Sequence, residues 1–226
     1  GAMVKAAYSS GTPAIGVGAG NGPAYIHHTA DVRLAVKRIL DSKTFDNGTI
    51  CASEQSIVVT RELEEAVTGE LRRQGAYLLS DQEHKTLSKF ILRANGTMNP
   101  AIVGKSAQQI AQLAGLKNVP SDACVLLARE SEVGDKFPYS REKLCPILAF
   151  YVEKNEEAVL EKCCKIVKKF QNALVNRFIS RYNDSCENRK VERVRAGSRH
   201  RPAEVGRSLP CSALGIWSFI QCTGPA

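Results

Sequence analysis

The chain holds no apolar run near the roughly 18–20 residues that a membrane-spanning helix requires. Its N-terminus lacks the basic stretch followed by an apolar stretch that marks a secretory signal. It has no Cys-x-x-Cys, and no His stands at a zinc-ligand spacing from a cysteine pair. The eight cysteines fall irregularly, at 51, 124, 145, 163, 164, 186, 211 and 222. These absences argue for free thiols in a reducing, cytoplasmic compartment, with no metal and no membrane contact. The dinucleotide fingerprint Gly-x-Gly-x-x-Gly is missing too. Counted from Gly16 its last position is Asn21, and from Gly18 it is Pro23. On pattern alone the Gly-rich stretch is a tight turn after a strand. The first residue is Gly1, not Met, so the chain is expected to be processed, tagged or cut from something longer.

What is present is a chain of 226 residues, 43% of them hydrophobic. That suffices for one sizeable core or two small ones. The net charge of +8 is unevenly spread: residues 1–167 carry +1 and residues 168–226 carry +7. A near-neutral globular part is thus joined to a basic tail. The tail is rich in Arg, but its aromatics Phe178, Tyr182, Trp217 and Phe219 are irregularly placed. This favours a solvated or disordered tail over a nucleic-acid-binding one.

Strand-like and helix-like segments alternate, which predicts an α/β fold with a largely parallel sheet. Strands are expected at 14–17, 24–26, 56–60, 123–128 and 147–152. Helices are expected at 31–40, capped by Thr29 or Asp31, then at 61–74, with Gly75 as C-terminal cap, and at 106–114 and 155–167. Ser80-x-x-Glu83 is a capping-box signature opening a further helix that buries Leu87, Phe90 and Ile91. No convincing element is expected after a helix near residue 180. A tail that supplied no strand would leave a sheet edge exposed near Ile147 to Val152.

Cys51 follows the small, polar turn Asp46-Asn47-Gly48-Thr49 and precedes the apolar segment Ile57-Val58-Val59. Such a turn leaves the sulfur room and holds backbone N–H groups nearby, the placement of a nucleophile. A buried cysteine acting as a small hydrophobe fits the same spacing. Adjacent histidines near a strand point to opposite faces, so His27 and His28 are expected to be surface residues that share no ligand site. Glu142 reads as part of a solvated charged turn before a strand, and Cys163-Cys164 as helix surface and core.

The run Ser42-Lys43-Thr44-Phe45-Asp46-Asn47-Gly48-Thr49-Ile50-Cys51-Ala52-Ser53-Glu54-Gln55 resembles the active-site segment of the CoA-acylating aldehyde dehydrogenases. These include the aldehyde half of bifunctional aldehyde-alcohol dehydrogenases and the acetaldehyde and propionaldehyde dehydrogenases of bacterial microcompartments. Gly16-Val17-Gly18-Ala19-Gly20-Asn21, Asn99-Pro100-Ala101-Ile102-Val103-Gly104 and Arg141-Glu142-Lys143-Leu144-Cys145-Pro146 are similar to that family as well. The resemblance runs from about Val4 to about Val167.

The resemblance implies an aldehyde-dehydrogenase-like fold. Residues 1–47 would end a nucleotide-binding domain, 48–167 would form most of a catalytic domain, and 168–226 would be a divergent tail. It implies Cys51 as nucleophile, with its backbone N–H donating to the oxyanion. Gly18 would lie against the nicotinamide end of NAD, and Glu142 would hold the nicotinamide ribose. Val17 occupies the place where water-using relatives keep a Glu base, so release to the thiol of coenzyme A is implied instead of hydrolysis. The substrate would be a short aliphatic aldehyde, acetaldehyde or propionaldehyde, and homo-oligomer or microcompartment association is expected.

Two departures accompany the resemblance. The family's segment before Val4, with most of the nucleotide-binding domain and a second oxyanion donor, is not in this sequence, so little activity is expected from it alone. After Val167 the family's Gly-rich turn gives way to Lys168-Lys169-Phe170, and the tail reads like an out-of-frame translation. The alternative is a non-catalytic remnant whose basic tail mediates binding.

Overall fold

A computed structural model of the chain describes residues 6–13, 20–93, 96–169 and 177–179, the last three and residues 168–169 by backbone only. The strands are β1 (Gly22–Ile26), β2 (Glu54–Thr60), β3 (Ala76–Leu78), β4 (Val125–Arg129), β5 (Ile147–Glu153) and β6 (Arg177–Ile179). They form one sheet in the order β3-β4-β5-β2-β1-β6, and every neighbouring pair is parallel. The main helices are α1 (Val32–Thr44), α2 (Glu64–Arg73), α3 (Asp81–Ile91), α4 (Ala107–Leu113) and α5 (Glu156–Lys169). The α/β class with a parallel sheet is as expected. Among the described residues no helix is long and apolar enough to cross a membrane.

Parallel strands covered on both faces must be apolar on both. Along β2, Ile57 and Val59 face one core cluster and Val58 the other. β4 and β5 alternate in the same way: Leu127, Leu148 and Phe150 enter the first cluster, and Leu126, Ile147 and Tyr151 the second. α1 and α2 cover the first face through Val36, Ile39, Leu40, Val67 and Leu71. α3, α4 and α5 cover the other through Leu87, Ile91, Ile110, Val159 and Ile166. Each such fully buried side chain contributes about 1.5–3 kcal/mol of transfer free energy.

The helix ends follow the sequence signals. Asp31 caps α1 by accepting the N–H of Leu34, and Ser80 and Glu83 form the expected reciprocal capping box on α3. Ser106 and Gln109 form a second box on α4.

Several expectations need correction. β5 is not at an edge; it lies between β4 and β2, and the outer described strands are β3 and β6. β6 is a strand close to residue 180, where a helix was expected; Arg-Phe-Ile is too short to show a period. β3 was missed for the same reason. The strand expected at 14–17, Gly18, and the tail apart from residues 168–169 and β6 lie outside the described residues.

Candidate active site

The cysteine loop hangs between α1 and β2. A 3₁₀ turn, Phe45–Gly48, carries three successive residues at positive φ: Asp46 (47°), Asn47 (49°) and Gly48 (74°). Left-handed backbone is costly for non-glycine residues, and Asn and Asp tolerate it best. The surroundings hold it in place. The Asn47 side-chain amide donates to the Gly104 carbonyl at 3.0 Å, and the Thr49 N–H donates to the Asp46 carbonyl at 3.2 Å. A Cβ on Gly48 would lie 2.9 Å from the Cys145 carbonyl group and 3.0 Å from the Lys43 carbonyl oxygen, so only glycine fits there. Asp46 and Asn47 thus shape the turn, as expected.

Cys51 follows this turn, half-buried, with a free thiol. Its backbone N–H has no hydrogen-bond partner among the described residues. The carbonyl of Cys51 packs against Gly20. A Cβ built on Gly20 would stand 1.8 Å from that oxygen. The N–H of Gly20 in turn donates to Oε1 of Glu142 at 2.9 Å. One glycine therefore brings together the two described residues singled out from the sequence, Cys51 and Glu142. Gly20 itself was passed over in favour of Gly18. The signal was available, since both belong to the run Gly16-Val17-Gly18-Ala19-Gly20.

Behind the loop lies a polar network in which both lysines are fully buried. Lys43 Nζ donates to Gln55 Oε1 at 3.1 Å and to the Lys143 carbonyl at 3.0 Å. The Lys143 N–H donates to the same Gln55 oxygen at 2.8 Å, and its Nζ donates to the carbonyls of Tyr139 and Arg141 at 2.5 and 2.7 Å. These bonds pin the segment carrying Glu142 to the start of β2, four residues past Cys51.

Burial disfavours the charged form of both amines. It lowers Lys43 to about 8, against the pull of Cys145, Glu54 and Glu142, and holds Lys143 well below its ordinary value, with the charge of Lys43 adding to the effect. Burial also pushes the Cys145 thiol up to about 11. Glu142 is raised by burial, while the Gly20 N–H and the two lysines oppose the rise. The turn around Glu142 is therefore not simply a solvated charged turn. The lysines were missed because charged residues are expected outside. Lys43 does, however, continue the apolar stripe Val36, Ile39, Leu40 by one more turn of α1.

The expectation of surface histidines holds for His28, which is exposed, and fails for His27. His27 is only 4% exposed, and the rings of His27 and His28 stand 3.9 Å apart. β1 ends at Ile26, so strand alternation does not govern the pair.

No protein-family model matches the chain. Individual proteins do. The bifunctional aldehyde-alcohol dehydrogenase AdhE of Escherichia coli (strain K12) is 50% identical over 165 residues, covering 73% of this chain and 18% of that protein. The crystal structure of a probable aldehyde dehydrogenase from Listeria monocytogenes EGD-e superposes with a TM-score of 0.79 at 59% identity, covering 85% of this chain and 42% of its own. An acetylating aldehyde dehydrogenase from Geobacillus thermoglucosidasius gives 0.77 at 45% identity, covering 83% and 41%.

The chain is homologous to the acylating aldehyde dehydrogenases.

It spans under a fifth of the bifunctional relative and about two-fifths of the solved enzymes. A more distant member, the propionaldehyde dehydrogenase of Rhodopseudomonas palustris with bound propionyl-CoA, matches with a TM-score of 0.73 at 26% identity, over 85% of this chain and 41% of its own.

Proposed function

We propose that this chain catalyses the CoA-acylating oxidation of a short aliphatic aldehyde, acetaldehyde or propionaldehyde, with Cys51 as nucleophile and NAD as hydride acceptor. The observation that carries the reading is the single turn at Gly20, which touches both the Cys51 carbonyl and the Glu142 carboxylate. A nucleophile and a cofactor-holding acid must meet at one place, and here one residue joins them.

The steps follow from these groups. The Cys51 thiolate adds to the carbonyl carbon of the aldehyde, and the new oxyanion can accept from the Cys51 N–H, which has no hydrogen-bond partner among the described residues. A bound nicotinamide dinucleotide would accept the hydride whose loss turns this adduct into a thioester on Cys51. The thiolate of coenzyme A then adds to the thioester carbon, and Cys51 leaves as thiolate. CoA needs less activation than water does, because a thiol near its pKa is already partly ionised.

Glu142 fits the role of holding the nicotinamide ribose. Its Oε1 is fixed by the Gly20 N–H, and its Oε2 has no hydrogen-bond partner among the described residues, which suits it to accept from hydroxyls. The free thiols at 51, 124, 145, 163 and 164 accord with a reducing cytoplasm.

The test is a burst experiment on the full chain. Acetaldehyde and NAD⁺ without CoA should yield about one NADH per chain, slowly given the low activity expected of this chain alone, and then stop, by the stoichiometry of a covalent intermediate. Adding CoA should restart turnover. Oxidation that continues to free acid without CoA, or that survives in Cys51→Ala, would overturn the reading.

A further inference from the structure

At the other end of the sheet from Cys51, β1 runs into a turn carrying His27 and His28, and α5 begins beside it with Glu156. The geometry points to a site for a zinc-class transition-metal ion formed by His27, His28 and Glu156. Each of the three offers a ligand atom, and these atoms lie within 4.8 Å of one another. His27 Nε2 is 2.6 Å from Glu156 Oε1.

The donor set selects the class of ion. Two imidazoles and one carboxylate match zinc, cobalt or nickel, whereas calcium and magnesium require mostly oxygen. Metal–ligand bonds near 2.0–2.2 Å put tetrahedral ligands on the order of 3.4 Å apart. Closing pairs as far apart as 4.8 Å, and opening the His27–Glu156 pair from 2.6 Å, therefore asks for about 1–1.5 Å of movement. The His28 and Glu156 side chains are both exposed, Glu156 on a helix's first turn, so the first can swing and the second can rotate.

The buried member is already oriented. His27 Nδ1 lies 2.8 Å from Thr29 Oγ1 and Nε2 faces Glu156; when an ion takes the Nε2 position the ring proton moves to Nδ1, where Thr29 Oγ1 can accept it. Histidine ligands are commonly fixed by a hydrogen bond from the second ring nitrogen. The Thr29 N–H also approaches Nδ1, at 3.3 Å, and favours the other tautomer in the metal-free protein. Tyr25 donates its hydroxyl to Glu156 Oε1 at 2.9 Å and steadies the carboxylate. Three protein ligands leave the fourth position to water. The ion would fasten the end of β1 to the start of α5. It would stand a strand's length from Cys51, about 15 Å at 3.3 Å per residue, and take no part in the chemistry there.

Co²⁺ tests this, since its spectrum distinguishes nitrogen and oxygen ligands from sulfur. The full chain, with accessible thiols first alkylated by iodoacetamide, is titrated with Co²⁺ and followed by absorption. The expected result is one saturable site with ligand-field bands and no sulfur-to-cobalt charge-transfer band. His28→Ala and Glu156→Gln should each weaken binding at least tenfold, and Thr29→Val by about 10–100-fold, through loss of the orienting hydrogen bond. His28 is exposed, so its variant should fold, and circular dichroism checks that it does. No saturable binding, a sulfur band, or unchanged affinity in both His28→Ala and Glu156→Gln would each overturn the site.

Discussion

Replacing Gly20 by Ala should damage both stability and site, and the structure sets the scale. The added Cβ would stand 1.8 Å from the Cys51 carbonyl oxygen and 2.8 Å from its carbon. Contact distances for such atoms are on the order of 3.3 Å, so the two backbones must part by about 1.5 Å. The obstacle is backbone, which has no rotamer to escape into. Overpacking of this kind costs about 1–3 kcal/mol. In a chain of this size that lowers the thermal midpoint by roughly 2–4 °C per kcal/mol. The displacement also carries Cys51 away from Glu142, and about 1 Å of misplacement can cost roughly 10²-fold in rate.

Gly69 is the internal control. It lies within α2 with no atom within 4 Å of a built Cβ, so Gly69→Ala should stabilise by about 0.5–1 kcal/mol. Urea unfolding and the iodoacetamide rate at Cys51 are measured for both variants. A Gly20→Ala chain as stable as the parent, with unchanged Cys51 labelling, would refute the packing argument.

Two further outcomes are expected. Lys43 loses its proton at about 8 when folded but at 10.5 in its ordinary state, so between these values the unfolded chain binds more protons and stability should rise with pH. The rise amounts to about 3 kcal/mol relative to Lys43→Met, and a difference between the two chains that stays constant from pH 7 to 10.5 in urea unfolding would contradict it. In timed alkylation followed by peptide mapping, half-buried Cys51 should react well before Cys145, which is fully buried and raised to about 11; equal rates would count against the placement of both.

The alternation of apolar strands and helices, the Ser80-x-x-Glu83 box and the Asp31 cap were legible in the sequence because each is a local pattern with a local cause. So was the turn before Cys51, where Asp46-Asn47-Gly48 are the residue types that tolerate positive φ. What escaped reading depends on partners distant in the chain. Lys43 and Lys143 can be buried because Gln55 and the carbonyls of Tyr139, Arg141 and Lys143 accept hydrogen bonds from their Nζ groups, and no periodicity announces that. Gly20 matters only because the Cys51 carbonyl comes to it from 31 residues away. The histidine pair was misplaced by extending strand alternation one residue past the end of β1, where the turn turns both rings the same way.

The central claim is that Cys51 carries the acyl group, and thioester exchange tests it without any nucleotide. Incubating the full chain with acetyl-CoA or propionyl-CoA should transfer the acyl group to the Cys51 sulfur and release one CoA thiol for each group transferred. Peptide mass mapping should find the acyl group on the Cys51 peptide, with none in Cys51→Ala and none on Cys145. A chain that folds, releases no CoA thiol and carries no acyl group on Cys51, or one acylated equally well after Cys51→Ala, would contradict the account.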